Sequence, residues 1–374
     1  MPSTPIRQSV LVNAKRVVVK MGTQILTGSD GQLDTAFIRQ MAGQMAKLVE
    51  RGIELTVVSS GAIGAGCAEL GLKKRPRDVA DQQAVAAVGQ RRLMTHLHDA
   101  FGQHNLKVAQ VLLTRTDFDD RTRFLNIRNC IGRIQAFGCI PILNENDTVA
   151  VDEIRFGDND MLAALTCNAL RADVMVLLSV IDGLLDDKGQ RIDRVDDLAQ
   201  AVGFDRQDKS KLGTGGMTTK LEAARLVTEA GEVAVIANGR MPNVLTRLFS
   251  GEAGVGTLFV PAMRKLDSRQ RWIGLTARPA GTITIDDGAA AAVIKGKSLL
   301  ASGITELTGR FDRGEIVLLR DQRGREIARG LINYGSEETR MIMGKKSTQF
   351  EKILGRQAFA EVIHRDNMVK TAAV

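Results

Sequence analysis

Charged and glycine-rich clusters follow several predicted strands, and together they have the composition of a phosphoryl-transfer site. Lys20 ends the first predicted strand, and Lys220 ends the polar stretch GTGGMTTK. Asp158 and Asp160 lie in the stretch GDND, at the start of a predicted helix. Phosphoryl transfer requires mainly charge neutralisation and alignment of the reacting groups. Two lysines would neutralise a triphosphate, and a carboxylate between them would hold their positions.

Each cluster alone also has an ordinary structural explanation. Glycines after strands mostly form turns, Asp158 could cap a helix, and Lys20 could be a surface lysine. The coincidence of two glycine-rich turns, two lysines and a carboxylate pair at strand ends favours the chemical interpretation. A carboxylate acceptor is already ionised near pH 7 and needs no general base. That chemistry suits these clusters, because they contain no histidine.

Familiar nucleotide-binding motifs are absent. The only GKS sequence, at 296–298, has Ala291 where a P-loop requires its first glycine. The GxGxxG fingerprint of dinucleotide-binding folds does not follow the first strand, and the stretch GAIGAG has the wrong order. The HRD and DFG motifs of the protein kinases are also missing.

Short apolar runs alternate with helix-like segments over the first 260 residues, which predicts a mostly parallel sheet with helices on both faces. In such a sheet, ligands bind beyond the carboxyl ends of the strands. Later runs are short and alternating, with closely spaced glycine and aspartate turns, and predict a small mostly-β domain. We therefore expect a catalytic domain at 1–262, a basic linker at 263–279, a β-rich domain at 280–360 and a C-terminal tail at 361–374.

Composition favours a two-domain cytoplasmic protein. The chain has 374 residues, of which 44% are hydrophobic, yet it contains no apolar run long enough to span a membrane and no secretory signal. Its four cysteines lack CxxC spacing, so we expect buried free thiols. The net charge is +8, and most of the basic excess follows residue 263. This excess permits an RNA partner without requiring one.

The motifs VVVKMGTQILT, VSSGAIGAG, ILNENDTVA, FGDNDMLAAL and GTGGMTTKLEAA, in this order, resemble the amino acid kinase superfamily. Within it they resemble the branch that phosphorylates glutamate, and the segment after residue 280 resembles a PUA domain. The resemblance covers essentially the whole chain. It implies ATP and Mg²⁺ as cofactors and L-glutamyl 5-phosphate as product, the first step toward proline. It also implies a homo-oligomer, either dimer or tetramer, and feedback inhibition by proline.

The resemblance implies a role for each site residue. Lys20 and Lys220 would contact the transferring phosphate, Asp158 would organise both lysines, and Asp160 would lie beside it near the metal-bound phosphates. No side chain is implied as a direct metal ligand. The implied substrate-binding residues are Ser60, Gly61, Asp147 and Asn159. The implied ATP-binding residues are Lys20, Gly22, Ser179, Val180, Thr214, Gly215, Gly216, Met217, Thr218, Thr219 and Lys220.

One position departs from the family pattern. After the strand VMVLL the family usually has Thr-Asp or Ser-Asp against the nucleotide, whereas this chain has Ser179 followed by Val180. The hydroxyl contact is retained and the carboxylate contact is lost, which puts nucleotide affinity or base preference in doubt.

Two kinds of alternative function remain open. The first is a related kinase acting on aspartate, N-acetylglutamate, carbamate or UMP, which the stretch NENDTVA and the second domain disfavour. The second is an RNA-binding protein whose kinase-like domain is a scaffold. Few aromatic side chains are available for base stacking in the second domain. The lysines and aspartates of the first domain are intact, so RNA is the less favoured partner.

Overall fold

The computed structural model describes residues 9–28, 31–150, 159–198, 216–261, 265–356 and 358–371. The chain divides into two compact units, Met1–Lys265 and Leu266–Val374. Each unit has its own cluster of buried apolar side chains, and the two are described separately.

The first unit is built on an eight-stranded sheet with the order β3-β4-β2-β1-β5-β7-β8-β6. All neighbouring strands are parallel except β7 and β8, which are antiparallel. The predicted mostly parallel sheet is therefore confirmed. The strands are β1 (Arg16–Met21), β2 (Glu54–Ser59), β3 (Lys107–Leu113), β4 (Cys139–Glu145), β5 (Val174–Ser179), β6 (Arg194–Val195), β7 (Val233–Asn238) and β8 (Thr257–Phe259).

Helices flank this sheet. They are α1 (Thr23–Leu26), α2 (Thr35–Glu50), α3 (Ala62–Glu69), α4 (Val79–Gly102), α5 (Arg121–Ala136), α6 (Asn159–Leu170), α7 (Met217–Glu229) and α8 (Val244–Phe249). Consecutive residues Val17, Val18 and Val19 of β1 are fully buried, as expected for a strand covered on both faces. The continuous apolar character of the central strands follows from that double burial.

Strand β1 lies between β2 and β5, so the chain leaves β1 on one side and returns on the other. Open α/β sheets bind ligands at the carboxyl ends of the strands where the chain changes direction in this way. Lys20 is near that end of β1, in register with Val58 of β2 and Leu177 of β5.

An ion cluster lies at the amino end of the same strands. Asp173 accepts hydrogen bonds from the backbone N–H groups of Lys15 and Arg16, at 2.9 and 3.0 Å, and from Lys265 Nζ at 3.1 Å. These donors outweigh the effect of burial and lower the pKa of Asp173. Lys265 Nζ also lies 2.8 Å from a carboxylate oxygen of Glu232, whose side chain is fully buried. Lys265 thus neutralises two carboxylates at the last residue of the unit.

Helices α3 and α4 cross with their backbones in contact. A Cβ atom at Gly66 would lie 1.9 Å from the carbonyl oxygen of Val85, and one at Gly89 would lie 1.8 Å from that of Ala62. No side chain fits at either separation, so the crossing requires glycine at both positions.

The second unit contains a five-stranded sheet with the order β10-β9-β11-β12-β13. The strands are β9 (Gly281–Ile285), β10 (Ile304–Gly309), β11 (Ile316–Asp321), β12 (Glu326–Leu331) and β13 (Met368–Lys370). The helices are α9 (Ser268–Arg271), α10 (Asp287–Ile294), α11 (Ser336–Ile342) and α12 (Phe350–Leu354). The predicted β-rich character of this region is confirmed.

Two boundaries in this unit differ from the sequence prediction. The stretch predicted as a linker, 263–279, contains α9 and a π-helical turn at Trp272–Thr276, with Trp272 and Ile273 buried. Basic residues between the apolar ones concealed that burial. The predicted tail, 361–374, supplies β13, which pairs antiparallel with β12. The sequence did not indicate this strand, because backbone hydrogen bonding does not require an apolar pattern.

The four cysteines are free, but only Cys167 is buried, and Cys130 is exposed. The expectation of four buried thiols was therefore wrong. Cys130 lies on α5, next to apolar residues in the sequence, which suggested that it is buried. Its side chain lies on a different face of the helix from the buried residues Phe124, Ile127 and Ile131. Within the described ranges, no helix combines the length and apolar content needed to cross a membrane.

Candidate active site

Three buried charged side chains meet at the carboxyl end of β1. Lys20 Nζ pairs with Asp160 Oδ1, and Lys220 Nζ lies 3.0 Å from Asp160 Oδ2. Asp160 is fully buried, and the two lysines are 4% and 7% exposed. Buried charges are stable only when paired, and Asp160 is a charged partner of both ammonium groups. Together these three side chains carry one net positive charge, which suits an anionic ligand.

Asp160 pairs with both lysines, as the resemblance implied for Asp158. Asp158 itself lies outside the described residues, as do Thr214 and Gly215. Asp160 is in the first turn of α6, where a carboxylate is also favoured by the helix dipole. Each of its oxygens holds one lysine, so in this arrangement Asp160 acts as a spacer between two cations rather than as a general base.

Three different elements bring this cluster together. Lys20 comes from β1, Asp160 from the start of α6, and Lys220 from the fourth position of α7. Gly22 follows β1 directly, and a Cβ atom there would lie 3.5 Å from Lys20 Nζ. The backbone at Gly22 therefore runs close beside one of the two cations.

The described part of the nucleotide loop forms the amino end of α7. Gly216 is the N-cap residue, and Met217, Thr218 and Thr219 form the first turn. Thr219 Oγ1 donates a hydrogen bond of 2.9 Å to the Gly216 carbonyl oxygen. The N–H groups of a helix's first turn and the positive end of the helix dipole make this a favourable place for phosphate.

Ser179 and Val180 lie at the carboxyl end of β5, and Val180 stands where the family usually has aspartate. The Ser179 carbonyl oxygen accepts from the Gly239 N–H at 2.8 Å, and the Val180 side chain is 44% exposed. Asp182, two residues further on, accepts a 2.9 Å hydrogen bond from Asn238 Nδ2. A carboxylate is thus still present beside Val180, but it is already engaged by a neighbouring strand.

Asn159 forms hydrogen bonds with residues at the end of β2 and in β4, among them the predicted substrate residue Ser60. Its Nδ2 donates to the Ser59 carbonyl oxygen at 2.7 Å, to Ser60 Oγ at 3.1 Å and to Asn144 Oδ1 at 2.7 Å. Gly61 directly follows Ser60 and leads the chain into α3 with a φ of 101°, a backbone conformation that favours glycine. Ser60, Gly61 and Asn159 are therefore grouped beside the lysine cluster, since Asn159 directly precedes Asp160.

Asp147 lies two residues beyond the end of β4 and is partly exposed. Asn144, inside the same strand, is the residue of this motif that contacts Asn159, and the sequence analysis assigned it no role. Asn144 Nδ2 in turn donates to Gln90 Oε1 at 2.7 Å. The position of Asn144 at a strand end could have indicated its role, whereas no sequence signal marks Gln90.

Sequence comparison agrees with this fold. A family model described as the amino acid kinase family matches residues 15–238. The chain belongs to that family. A PUA domain model matches residues 281–354.

Several relatives that match over nearly the full chain are named glutamate 5-kinase. The chain is 45% identical over 373 residues to a glutamate 5-kinase of Geobacter sp. (strain M21), covering 97% of this chain and 100% of the relative. It is 44% identical to glutamate 5-kinases of Thermoanaerobacter sp. (strain X514) and Dehalococcoides mccartyi (strain CBDB1). Those two matches cover 95% of this chain, and 97% and 98% of the respective relatives.

Proposed function

We propose that this protein transfers the γ-phosphoryl group of ATP to the γ-carboxylate of L-glutamate, forming L-glutamyl 5-phosphate, the first step of proline biosynthesis in the cytoplasm. The observation that carries the proposal is the buried pair of lysines on Asp160, in a chain 45% identical to a named glutamate 5-kinase. Two cations at one point reduce the repulsion between an acceptor carboxylate and a triphosphate.

Both lysines act on the phosphoryl group in the proposed transfer. A glutamate carboxylate oxygen attacks the γ-phosphorus, and the bond to the β,γ-bridging oxygen breaks to release ADP. Lys20 and Lys220 stabilise the oxygens whose charge is spread in the transition state, and Asp160 holds the lysines in place. No proton needs to be removed from the acceptor, because it is a carboxylate.

The residues of the site suit the phosphates of a nucleotide. Lys20, Lys220 and the amino end of α7 are cationic or hydrogen-bond donors, which match phosphate oxygens. Mg²⁺ bound with the nucleotide supplies further neutralisation of phosphate charge. Among the described residues, no group of three or more histidine, cysteine, aspartate or glutamate side chains is arranged to hold a metal ion. We propose that this ion would bind together with the nucleotide phosphates.

Hydroxylamine trapping tests the substrate directly. Acyl phosphates react with hydroxylamine to give hydroxamates, which are measured by the colour of their iron complexes. We expect a hydroxamate from L-glutamate, ATP and Mg²⁺, and none without ATP. A product formed from aspartate or N-acetylglutamate, but not from glutamate, would replace the proposed substrate.

The Asp147→Ala change is expected to raise the KM for glutamate, with a modest effect on the KM for ATP. We propose that Asp147 pairs with the substrate α-ammonium group, while the acceptor carboxylate lies elsewhere. Steady-state kinetics with each substrate varied in turn measures the effect. An equal rise in both KM values would argue against a contact specific to glutamate.

Proline has the same α-amino and α-carboxylate groups, so we propose that it inhibits from an overlapping pocket. The Asp147→Ala chain should then also need more proline for half-inhibition. Unchanged proline inhibition, when glutamate binding is weakened, would place proline at a separate site.

We expect residues 1–267 to fold and to phosphorylate glutamate without the second unit, because the first unit buries its own apolar core. We propose that the second unit acts on assembly or regulation, so oligomer size or proline inhibition should change. Size-exclusion chromatography and the hydroxamate assay measure these properties. A folded 1–267 chain without turnover would show that the second unit completes the site.

A shorter chain, 1–262, serves as a comparison for the position of the boundary. It lacks Lys265 and leaves the buried Glu232 carboxylate without this partner. Removing one partner of a buried ion pair is destabilising, so 1–262 should be less stable than 1–267.

A further inference from the structure

We propose that Gln90 is a positioning residue for the substrate pocket, which acts by fixing the side-chain amide of Asn144 and, through it, that of Asn159. The inference rests on the proposed function, since it concerns how the pocket holds an amino acid. Gln90 lies on α4 and directly contacts none of the charged residues of the lysine cluster in the described structure.

Hydrogen bonds connect the three amides in series. Gln90 Oε1 accepts from Asn144 Nδ2 at 2.7 Å, and Asn144 Oδ1 accepts from Asn159 Nδ2 at 2.7 Å. Asn144 Oδ1 also accepts from the backbone N–H of Glu145 at 2.8 Å. Asn144 is 2% exposed and Asn159 is 7% exposed, so water has little access to this chain of amides.

Backbone groups at two points determine which way each amide faces. The Glu145 N–H can only donate, so the Asn144 atom facing it must be the oxygen, which directs the Asn144 NH₂ to Gln90. The Ser59 carbonyl can only accept, so the Asn159 atom facing it must be the NH₂. Each amide orientation is therefore consistent with its neighbours.

Gln90 completes this arrangement as the acceptor for the last free donor. Without it, the Asn144 NH₂ would be buried without a partner, which is unfavourable. The Asn144 amide would then be held only on its oxygen side, by the Glu145 N–H and the Asn159 NH₂, and would be free to shift and weaken its bond to Asn159. All three bonds of Asn159 use Nδ2, and this leaves Oδ1 available to accept from the ammonium group of a bound amino acid.

Packing alone does not explain a glutamine at position 90. Its Nε2 is buried and makes no hydrogen bond within the described part of the chain. An apolar side chain would avoid that penalty if the position only filled space. The position of α4 is itself fixed by the backbone contact at Gly66 and Gly89, which sets Gln90 directly after the crossing.

The Gln90→Met change tests the proposal, because methionine has a similar length and no strong acceptor. We expect the KM for glutamate to rise about tenfold, as for the loss of one buried hydrogen bond, with the KM for ATP little changed. Gln90→Glu keeps an oxygen acceptor and should restore most of the affinity for glutamate. Gln90 and Gln110, on α4 and β3, line one surface groove. Gln110→Met is therefore the matched control and should leave both KM values unchanged.

A double-mutant cycle identifies the route of the effect. If Gln90 acts through Asn144, Gln90→Met should add little to the KM of an Asn144→Ala chain, because the two changes break one series of bonds. Additive effects would overturn the proposal, as would an unchanged KM in Gln90→Met. A parallel rise in both KM values that follows a lower melting temperature would show a merely structural role.

The cycle is run with whichever acid the unaltered protein converts to a hydroxamate. Failure to use glutamate would then overturn the proposed substrate. Failure of Gln90→Met to alter the KM of the accepted acid would overturn only the positioning role of Gln90. The two outcomes are therefore distinguishable.

Discussion

Replacing Asp160 by asparagine is expected to reduce both turnover and stability. The change keeps the shape of the side chain but removes the carboxylate that pairs with both lysines. Breaking a buried ion pair by removal of one partner typically costs about 3–5 kcal/mol, because the remaining charge stays uncompensated. Here two ammonium groups would remain, each at most 7% exposed.

The same change should lower kcat by about a hundredfold or more, since a displacement of about 1 Å in a positioning group can have that effect. Phosphates would partly replace the missing carboxylate, so ATP should recover some of the lost stability. Chemical unfolding with and without ATP measures this. Asp196→Asn is the control, because Asp196 is exposed and paired with Arg194 at the surface. Normal turnover and normal stability in Asp160→Asn would show that another group holds the lysines.

The Lys220→Met change is expected to affect rate without a comparable loss of stability. One preorganised electrostatic contact is worth about 10²–10³ in kcat, and Lys220 would act on charge that develops during transfer. Asp160 would still be paired with Lys20, so no buried charge is left alone. The expected result is a large fall in kcat, a small change in the KM for ATP and a nearly normal unfolding curve.

Stopped assays and thermal unfolding separate these effects. Arg225→Met, on the exposed side of α7 with Glu229 as its partner 3.6 Å away, should behave as the unaltered protein does. If Lys220→Met raised the KM for ATP and left kcat unchanged, Lys220 would be a ground-state anchor instead of a transition-state contact.

The sheet and the general position of the site were predictable, for a simple physical reason. Strands buried on both faces are apolar throughout, as at Val17–Val19, and the carboxyl ends of parallel strands converge at one edge. Lys20 and the residues after β2 and β4 could therefore be grouped from their places in the chain alone. Their individual roles came from the resemblance to a known family.

That Asp160 meets both lysines was not predictable from the sequence. Successive residues of a helix point about 100° apart, so the position of the first turn of α6 decides which way the Asp160 carboxylate faces. Gln90 was beyond sequence reasoning for a different reason. It lies 54 residues from Asn144, and their contact depends on how α3 and α4 cross. The burial of Trp272 was concealed by adjacent arginines.

The contact between α3 and α4 has a consequence for the evolution of this protein. Gly66 and Gly89 lie away from the lysine cluster, yet each faces a carbonyl oxygen less than 2 Å from where a Cβ atom would stand. Random variation at these two positions would therefore be rejected as strictly as variation at Lys20. Even alanine, the smallest possible addition, would separate the helix that begins at the Ser60 turn from the helix that carries Gln90. A map of tolerated substitutions would thus contain two strictly intolerant sites that have no contact with any ligand, and the shape of the backbone alone would account for them.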